Sequence, residues 1–480
     1  MFMSWSAISQ DSKLYYGDPD KPNILWIIIE DMSPDLGCYG HDLVKTPHID
    51  RLAGQGIRYN NVFATGVACS PSRTAFVTGY YQNTIGAYHM RYPEELKPSL
   101  PDSVTPVHIL MNELGYQTAN IRSFPGNGKT DWLFEYNPDS YDASRWEELT
   151  HTAVSDSPPK PFFARINLRL THRPFESDQA NPIDPKVVKV PPYYPDHPVA
   201  QADFAAYYES IQVMDRQVGQ ILTDLQKHQL DKNTIVFFFS DHGRPMTRAK
   251  NYLYDSGIEV PLLITTLDED LRSQMGLEGQ NESLFSLIDI TATSLELAGG
   301  RYHTQGISIL GHPEGREFLW AAADRMGEIH FKSRMIRTAN FKYIRNYRHG
   351  FSINSASTAH RKSTHPIYHL LNVMHENGDL DEHQMKLVKP MAAEELYDVV
   401  RDPFELNNLA TVVQYKNILE GMKDRLKTYS VEIKDQGLGE DSKIIENAFD
   451  EYGKSSLEKN KFRILELQEK VEKHFIKSQN

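Results

Sequence analysis

Residues 22–40, which read PNILWIIIEDMSPDLGCYG, contain the stretch that decides how this chain folds. They begin with an unbroken apolar run, residues 23–29, that is rich in isoleucine. Such a run is typical of a β-strand buried on both faces, as in a parallel sheet covered by helices. Two acids, Glu30 and Asp31, follow it directly. The stretch therefore predicts a central strand with two carboxylates at its C-terminal end.

Further strand and helix patterns alternate through the first part of the chain. We expect strands at residues 117–121, 162–168, 234–239 and 260–265, and helices at residues 105–114 and 202–227. Strands that alternate with helices indicate an α/β fold, with a mostly parallel central sheet sandwiched by helices.

A change of pattern near residue 315 predicts a second unit, which a chain of 480 residues is long enough to form. Shorter strand patterns follow, and the chain closes with a charged amphipathic helix at residues 455–478. We expect a catalytic domain at residues 21–315 and a smaller α+β domain at residues 316–480. Residues 1–20 are interpreted either as the remainder of a signal peptide, which implies a periplasmic or secreted protein, or as a disordered leader on a cytoplasmic one.

Composition excludes several classes of protein. The net charge is −13 and no dense block of Lys and Arg interrupts it, which argues against a nucleic-acid partner. No apolar run approaches the roughly 20 residues that a membrane-spanning helix needs. Two cysteines are too few for a disulfide framework.

Acidic residues end two of the predicted buried strands. Glu30 and Asp31 follow the first, and Asp241 and His242 follow the strand at residues 234–239 after Ser240. In open α/β sheets, ligands bind outside the carboxyl ends of the strands. Three carboxylates in one crevice repel each other unless a cation neutralises them, so we expect a divalent metal ion. The alternative is that each acid caps a nearby helix or loop.

A cysteine stands at the start of a predicted helix. The sequence there is Cys69-Ser70-Pro71-Ser72-Arg73, with Ser70 as the expected N-cap and Pro71 in the first turn. A helix N-terminus and the charge of Arg73 both favour an anion beside Cys69. The alternative is that Cys69 is a small buried residue.

These residues resemble the type I sulfatase family. The motif C-x-P-S-R-x-x-x-x-T-G at residues 69–79 is similar to the family's modification signature, which is highly specific. Four further stretches also resemble the family's conserved segments: residues 22–40, 239–243, 248–264 and 395–410. The resemblance spans roughly residues 20–430, and its details are most similar to bacterial polysaccharide sulfatases and heparan N-sulfatase.

The resemblance implies an alkaline phosphatase-like fold and a specific chemistry. A formylglycine-generating maturation enzyme would oxidise Cys69 to an aldehyde, and a hydroxyl of the hydrated aldehyde would attack the sulfur. Arg73 would hold the formylglycine, while Lys129 and Lys250 would hold the sulfate. Lys250 would also help to protonate the leaving oxygen, and His172 would be the general acid. The metal, calcium by resemblance, would be held by Glu30, Asp31, Cys69, Asp241 and His242.

Three positions depart from the family pattern. Glu30 and His242 stand where the family usually has Asp and Asn, and a nitrogen ligand is less natural for calcium. Asp131 stands where the family often has His, which leaves open the group that takes the proton from the diol.

The resemblance also implies a substrate, a sulfated algal polysaccharide or a glycosaminoglycan-derived oligosaccharide. Candidates to contact the sugar are His89, Arg91, Arg248 and Arg325, for each of which a structural salt bridge is the alternative. Two other functions remain open: a phosphodiester or phosphonate monoester hydrolase of the same superfamily, and a sulfated-glycan binding protein without turnover.

Overall fold

The computed structural model describes residues 21–122, 126–145, 147–148, 160–228 and 230–479. The leader at residues 1–20 lies outside the described residues, so both interpretations of it stay predictions. No helix in the described ranges has the length and apolar character needed to cross a membrane.

The larger sheet has seven strands. They are β1 (Asn23–Ile29), β2 (Gly56–Phe63), β3 (Gln117–Ile121), β4 (Phe162–Leu168), β5 (Thr234–Ser240), β6 (Glu259–Thr265) and β7 (Gly279–Ser286). Their order is β3-β4-β1-β5-β6-β2-β7. β6 runs antiparallel to both neighbours, and the other pairs are parallel. The predicted mostly parallel sheet is confirmed.

Helices cover this sheet. They are α1 (Pro47–Gly54), α2 (Cys69–Thr78), α3 (Val107–Glu113), α4 (Pro198–Lys227), α5 (Asp255–Ile258), α6 (Glu269–Met275) and α7 (Asp289–Leu297). α2, α3 and α7 contact one another, whereas α1 packs on α4. In β1, Trp26 packs edge-on against Phe76 of α2 and donates to Ser294 of α7. Every residue of β1 is buried, as the apolar run predicts.

The second sheet is smaller and antiparallel, in the order β11-β10-β9-β8. Its strands are β8 (Leu319–Met326), β9 (Ile329–Arg337), β10 (Phe341–Asn346) and β11 (Glu394–Asp398). The helices that accompany it are α8 (Ala359–Thr364), α9 (Pro366–Asn377), α10 (Met385–Val388), α11 (Lys416–Glu432) and α12 (Lys443–Gln479). The α+β character of this region is confirmed, while the exact domain limits stay a prediction.

The two sheets are joined close to the start of α2. Isolated bridges pair Gly66 with Ala322 and Met90 with Met326. α12 returns from the end of the chain and packs on α4, α8 and α9. The C-terminal region is thereby packed against the larger domain.

Candidate active site

The acids that follow β1 and β5 meet because these two strands are parallel neighbours. Ile29 lies opposite Ser240 in the ladder, and the amide of Met32 donates to the carbonyl of His242. Asp31 has a left-handed backbone with φ of 56°. Non-glycine residues adopt this conformation only where the surroundings enforce it. The turn after β1 thus presents the carboxylate of Asp31 to the end of β5.

Four potential ligands converge in this crevice. Ligand atoms of Asp31, Cys69, Asp241 and His242 all lie within 4.8 Å of one another, and all four residues are buried. Cys69 Sγ is 3.6 Å from Asp31 Oδ1 and 3.4 Å from His242 Nε2. Cys69 and His242, which are 173 positions apart in the sequence, therefore belong to one cluster.

Helix α2 presents Cys69 from its first turn. The helix begins at Cys69 itself, and its N-cap is Ala68, which makes no side-chain capping bond. The expectation that Ser70 is the N-cap is therefore wrong, because the helix starts one residue before it. The placement of Cys69 at a helix N-terminus stands. Arg73, one turn further, is fully buried and pairs with Asp241 at 2.9 Å.

Cations compensate the buried carboxylates. Lys250 Nζ lies 2.6 Å and 2.9 Å from the two oxygens of Asp31. Burial raises the pKa of Asp31, but the charges of Lys250, His172 and His242 outweigh it and hold that pKa well below its usual range. Burial lowers the pKa of His242, yet Asp241 and Asp31 raise it to about 10. The carboxylates of the cluster are thus held in their charged form by neighbouring positive groups.

The donor set fits a divalent cation. His242 Nδ1 lies 2.9 Å from the carbonyl oxygen of Gly243, so this nitrogen carries a proton and Nε2 points toward Asp31 and Cys69. Histidine ligands of metals commonly donate their other ring nitrogen to a carbonyl in this way. Two carboxylates and one imidazole nitrogen suit several divalent ions, from calcium to first-row metals.

Glu30 is not one of the four residues that converge in this cluster. Its carboxylate accepts hydrogen bonds from Lys129 at 2.9 Å and from Asn167 at 2.7 Å, with Asn127 at 3.4 Å. Burial raises the pKa of Glu30, but the positive charges of Arg73 and Lys129 outweigh this effect, so the pKa is lowered overall. The side-chain partners described for Glu30 are hydrogen-bond donors, and its expected role as a metal ligand stays a prediction. Asn167, which lies in β4 opposite Ile28 of β1, was missed by the sequence analysis. The sequence does contain a sign of a functional role for this residue, namely a polar asparagine near the end of the buried strand FFARINL.

His172 lies on the other side of Asp31. Its Nε2 is 4.0 Å from Asp31 Oδ2, and its Nδ1 is 2.7 Å from the carbonyl of Arg173. The charge of Asp31 raises its pKa, but burial and Lys250 lower it, and the balance is a lowered pKa. The side chains of Lys129, His172 and Lys250 are all 16–19% exposed. These three groups thus face the opening of the pocket.

Three of the four expected sugar contacts are instead engaged inside the protein. The guanidinium of Arg248 lies 4.2 Å from the ring centre of Tyr193 and 3.8 Å from that of Tyr254. It also donates to the carbonyl of Glu405, and the residue is 4% exposed. Arg248 is therefore a buried packing residue, and the assignment of a sugar contact to it is corrected.

His89 and Arg325 share one partner. His89 Nε2 lies 2.9 Å from Asp441, and Arg325 Nε donates to the same carboxylate at 2.7 Å. Both side chains are almost fully buried. These two ion pairs attach Asp441, just before α12, to Arg325 in β8 and to His89. Both residues therefore form structural salt bridges, and the prediction that they contact the sugar is corrected. Arg91 is different, because it is exposed.

A residue of the C-terminal region also reaches the pocket. His360, in α8, has its ring centre 6.3 Å from that of His172. No sequence pattern indicates a role for His360, because it lies in a polar stretch without a recognisable motif.

Comparison with known proteins identifies the family of this chain. The Sulfatase family model matches residues 22–300. An ulvan-active sulfatase of Formosa agariphila is 32% identical over 482 aligned residues, which cover 89% of this chain and 78% of that protein. Human N-sulphoglucosamine sulphohydrolase is 26% identical over 86% of this chain and 90% of its own length.

Solved structures share the fold. A phosphonate monoester hydrolase of Agrobacterium radiobacter superposes with a TM-score of 0.61 at 18% identity, covering 87% of this chain and 97% of that one. A protein solved with its substrate D-glucosamine-2-N,6-O-disulfate gives a TM-score of 0.59 at 17% identity, covering 86% and 98%. The chain belongs to the sulfatase family, and it is a sulfuric ester hydrolase.

Proposed function

We propose that this sulfatase removes sulfate from a sulfated carbohydrate by means of a formylglycine made from Cys69. The substrate class rests on the relatives, among them an ulvan-active sulfatase and N-sulphoglucosamine sulphohydrolase. A maturation enzyme of the host would oxidise the Cys69 thiol to the aldehyde.

The observation that carries the proposal is the position of the Cys69 side chain. Its Sγ lies at the N-terminus of α2, between His242 Nε2 at 3.4 Å and Lys250 Nζ at 3.4 Å. A hydrated aldehyde at this point would have positive groups on several sides and a carboxylate, Asp31, within 3.6 Å. A cysteine that served only for packing would have apolar neighbours.

The surrounding residues then take separate roles. One hydroxyl of the hydrated residue 69 attacks sulfur, and the bond between sulfur and the sugar oxygen breaks. Lys129 and Lys250 stabilise the charge on the sulfate oxygens, and His172, on the open side of the pocket, protonates the departing alcohol. Loss of a proton from the second hydroxyl then expels sulfate and restores the aldehyde.

A divalent metal ion, calcium by family resemblance, belongs to the same proposal. Asp31, Asp241, His242 and residue 69 would hold it, and Glu30 would hold Lys129 instead of the ion. The ion would supply Lewis-acid stabilisation of negative charge beside residue 69.

Mass spectrometry and matched assays test the proposal. The peptide that contains residue 69, from protein expressed with a maturation enzyme, should carry formylglycine in place of cysteine. Such protein should release sulfate from at least one member of a panel of sulfated oligosaccharides. Cys69→Ala should lose this activity by at least about 1,000-fold, because the nucleophile is gone. Cys38→Ala serves as the control, since Cys38 lies outside the cluster.

Two other results would contradict the proposal in different ways. Faster turnover of phosphodiesters or phosphonate monoesters than of any sulfate ester would assign the site to that class of hydrolase. An unmodified thiol in protein from the native host, together with glycan binding but no turnover, would indicate a sulfated-glycan binding protein.

We further propose that the protein is exported to the periplasm or the medium, where it meets a polysaccharide. The support is the pair of small residues Ala7 and Ser9, which are spaced like those before a signal-peptidase cleavage site. Cell fractionation of the native host tests this, and recovery only from the cytoplasm would contradict it.

A further inference from the structure

A groove lies on the surface of the C-terminal region, between β10 and α11. Its volume is about 570 Å³, which falls within the range of clefts that bind ligands. Its charged and aromatic lining includes Tyr343, Arg345, Tyr347, Lys423, Lys427 and Lys434. None of the described residues that line this α11 groove belongs to the Cys69 cluster, so the groove is a separate feature of the molecule.

The basic side chains of the α11 groove fall into two pairs. Lys423 Nζ lies 3.3 Å from Glu394 Oε1, and Arg345 Nη1 lies 3.6 Å from the same oxygen. Lys427 and Lys434 are exposed instead, and neither forms an ion pair with a carboxylate in the part of the chain that the structure describes. These two lysines are therefore available to an anionic ligand.

Most acids of the α11 groove are neutralised within the protein. Besides its two cations, Glu394 accepts a hydrogen bond from the hydroxyl of Tyr343 at 2.8 Å. Asp435 has a buried side chain and pairs with Arg334 at 2.5 Å. Asp424, which is exposed, is the remaining acid of the lining. The two unpaired lysines therefore give the groove a local excess of positive charge, although the whole chain has a net charge of −13.

The backbone at Lys434 is one that glycine adopts more easily. α11 ends at Glu432. The amide of Lys434 then donates to the carbonyl of Val431 at 3.1 Å, and the next amide donates to the carbonyl of Ser430 at 2.9 Å. Helix ends with this bonding pattern usually carry glycine at the left-handed position, where Lys434 has φ of 57°. The fold itself therefore does not require a lysine here, whereas binding of an external anion would use its charge.

Aromatic and apolar surface lies beside these charges. The side chain of Tyr347 is 43% exposed, and the guanidinium of Arg345 lies 5.6 Å from the centre of its ring. Val431 and Leu438, which also line the groove, are exposed as well. An aromatic ring offers a flat apolar face for a sugar ring, and lysine ammonium groups bind sulfate oxygens by charge-assisted hydrogen bonds. The groove thus matches a ligand that has both ring faces and anionic groups.

We propose that the α11 groove binds a chain of sulfated polysaccharide at a point separate from the Cys69 cluster. Tyr347 stacks on a sugar ring, and Lys427 and Lys434 bind its sulfate groups. The inference rests on the proposed function for the nature of the ligand and adds a second binding site to it. A polymer held at the groove would have a raised local concentration at the cluster, because its second contact with the protein is intramolecular.

Isothermal titration of the full chain with heparin of uniform length tests the inference. The Cys69→Ala protein is the background for all variants, so that the probe is not consumed. Desulfated heparin keeps the sugar rings and carboxylates, and poly-L-glutamate is a polyanion without sugar. Heparin should bind at least about 10-fold more tightly than either comparison probe, because only heparin supplies both the ring faces and the sulfate groups.

A charge reversal in the groove identifies the site of binding. Lys427→Glu/Lys434→Glu should weaken the binding of heparin by at least about 10-fold, because two attractive contacts become repulsive. Lys459→Glu/Lys461→Glu is the matched control, since it changes the net charge equally at two exposed positions of α12 outside the groove. The affinity of the control should stay within about threefold, because distant charges are screened at physiological ionic strength.

Two single substitutions separate binding from folding. Lys434→Gly should weaken the binding of heparin by about 3- to 10-fold, while the midpoint of urea unfolding should stay the same or rise, because glycine relieves the left-handed backbone. A lysine with a purely structural role would show the opposite pattern. Tyr347→Ala should weaken binding by about 3- to 10-fold, and Tyr347→Phe should restore it, because phenylalanine keeps the ring.

Several results would overturn the inference while leaving the proposed function intact. They are equal affinity for heparin and its desulfated form, an equal loss of affinity in the groove variant and the α12 control, and no effect of Tyr347→Ala. Binding of poly-L-glutamate as tight as that of heparin would assign the groove to an acidic protein partner instead. Failure of the mature wild type to release sulfate from any compound, with formylglycine present at residue 69, would count against the proposed function and not against the titration result.

Discussion

The backbone amide of Asp31 donates a hydrogen bond to Oδ1 of Asp241 at 2.9 Å, although the two residues are 210 positions apart. The bond joins the ends of β1 and β5 and sets the distance between their carboxylates. Arg73 Nε occupies the other oxygen of Asp241. Two acids that would repel each other in water are thus held together before any ion arrives, which reduces the cost of ordering them on binding.

The first prediction concerns the identity of the metal. Removal of divalent ions with EDTA should abolish activity, and calcium should restore it. His242→Asn should raise the affinity for Ca²⁺ relative to Mn²⁺ by about 10-fold, because an amide oxygen suits the harder ion better than an imidazole nitrogen does. Isothermal titration of metal-free protein measures both affinities. Equal changes for the two ions would show that residue 242 does not contribute to selectivity.

The second prediction separates two roles for Glu30. Glu30→Gln should leave the affinity for the metal ion within about threefold of the wild type. One carboxylate oxygen of Glu30 accepts from Lys129 and the other from Asn167, so neither is expected to bind the ion. The substitution should lower kcat/KM by at least about 10-fold, since Lys129 loses the nearer of its two carboxylate partners, Glu30 at 2.9 Å, and keeps only Asp131 at 3.8 Å. Titration with Ca²⁺ and steady-state kinetics are the measurements. Asp241→Asn is the comparison, and it should lose metal affinity by about 100-fold or more. A similar loss in Glu30→Gln would identify Glu30 as a ligand.

The third prediction assigns the general acid. His172→Gln should lower kcat by about 100- to 10,000-fold on a sugar sulfate, where the leaving alkoxide needs a proton. The loss should be at least 10-fold smaller on 4-nitrophenyl sulfate, whose leaving group is stable without one. Rates of the variant and the wild type on both esters give the answer. Lys250→Gln should impair both esters alike, because sulfate binding does not depend on the leaving group. An equal loss on both esters in His172→Gln would contradict the role.

The fourth prediction concerns Asp441 and the pH dependence of stability. Burial raises the pKa of Asp441, but hydrogen bonds from His89 and Arg325 lower it below the value in an unfolded chain. Its stabilising contribution is therefore complete above the unfolded pKa of about 3.9 and is lost as the pH falls below that value. Asp441→Asn should reduce the free energy of unfolding by about 2–4 kcal/mol at pH 7, because it leaves Arg325 buried without its partner.

The difference between Asp441→Asn and the wild type should shrink as the pH is lowered from 5 to 3. Urea unfolding at several pH values measures it. Asp450→Asn, an exposed carboxyl in α12, is the control and should have little effect at any pH. A constant difference across the range would show that the effect does not come from the charge of Asp441.

Much of the fold could be predicted because the signal is local. β1, β3 and β4 have the expected limits, since continuous apolar runs reflect burial on both faces. β2 and β7 were not predicted. β2 reads GIRYNNVF and the first half of β7 reads GQNES, so polar residues interrupt both patterns. β2 forms a strand because it pairs with β6 on one side and β7 on the other, and β7 forms one because it pairs with β2.

The residues of the site also fall into those that the sequence predicted and those that it did not. The sequence by itself determined the class of protein and the acids at the ends of β1 and β5, and it predicted Cys69 as the nucleophile, because short motifs and strand ends carry that information. Only the tertiary structure decided that Glu30 binds Lys129, that Arg248 is buried between two tyrosines, and that His360 reaches the pocket. These contacts join residues far apart in the chain. The partner that a charged side chain takes depends on which groups the folded chain brings within a few ångströms, and no local pattern contains that distance.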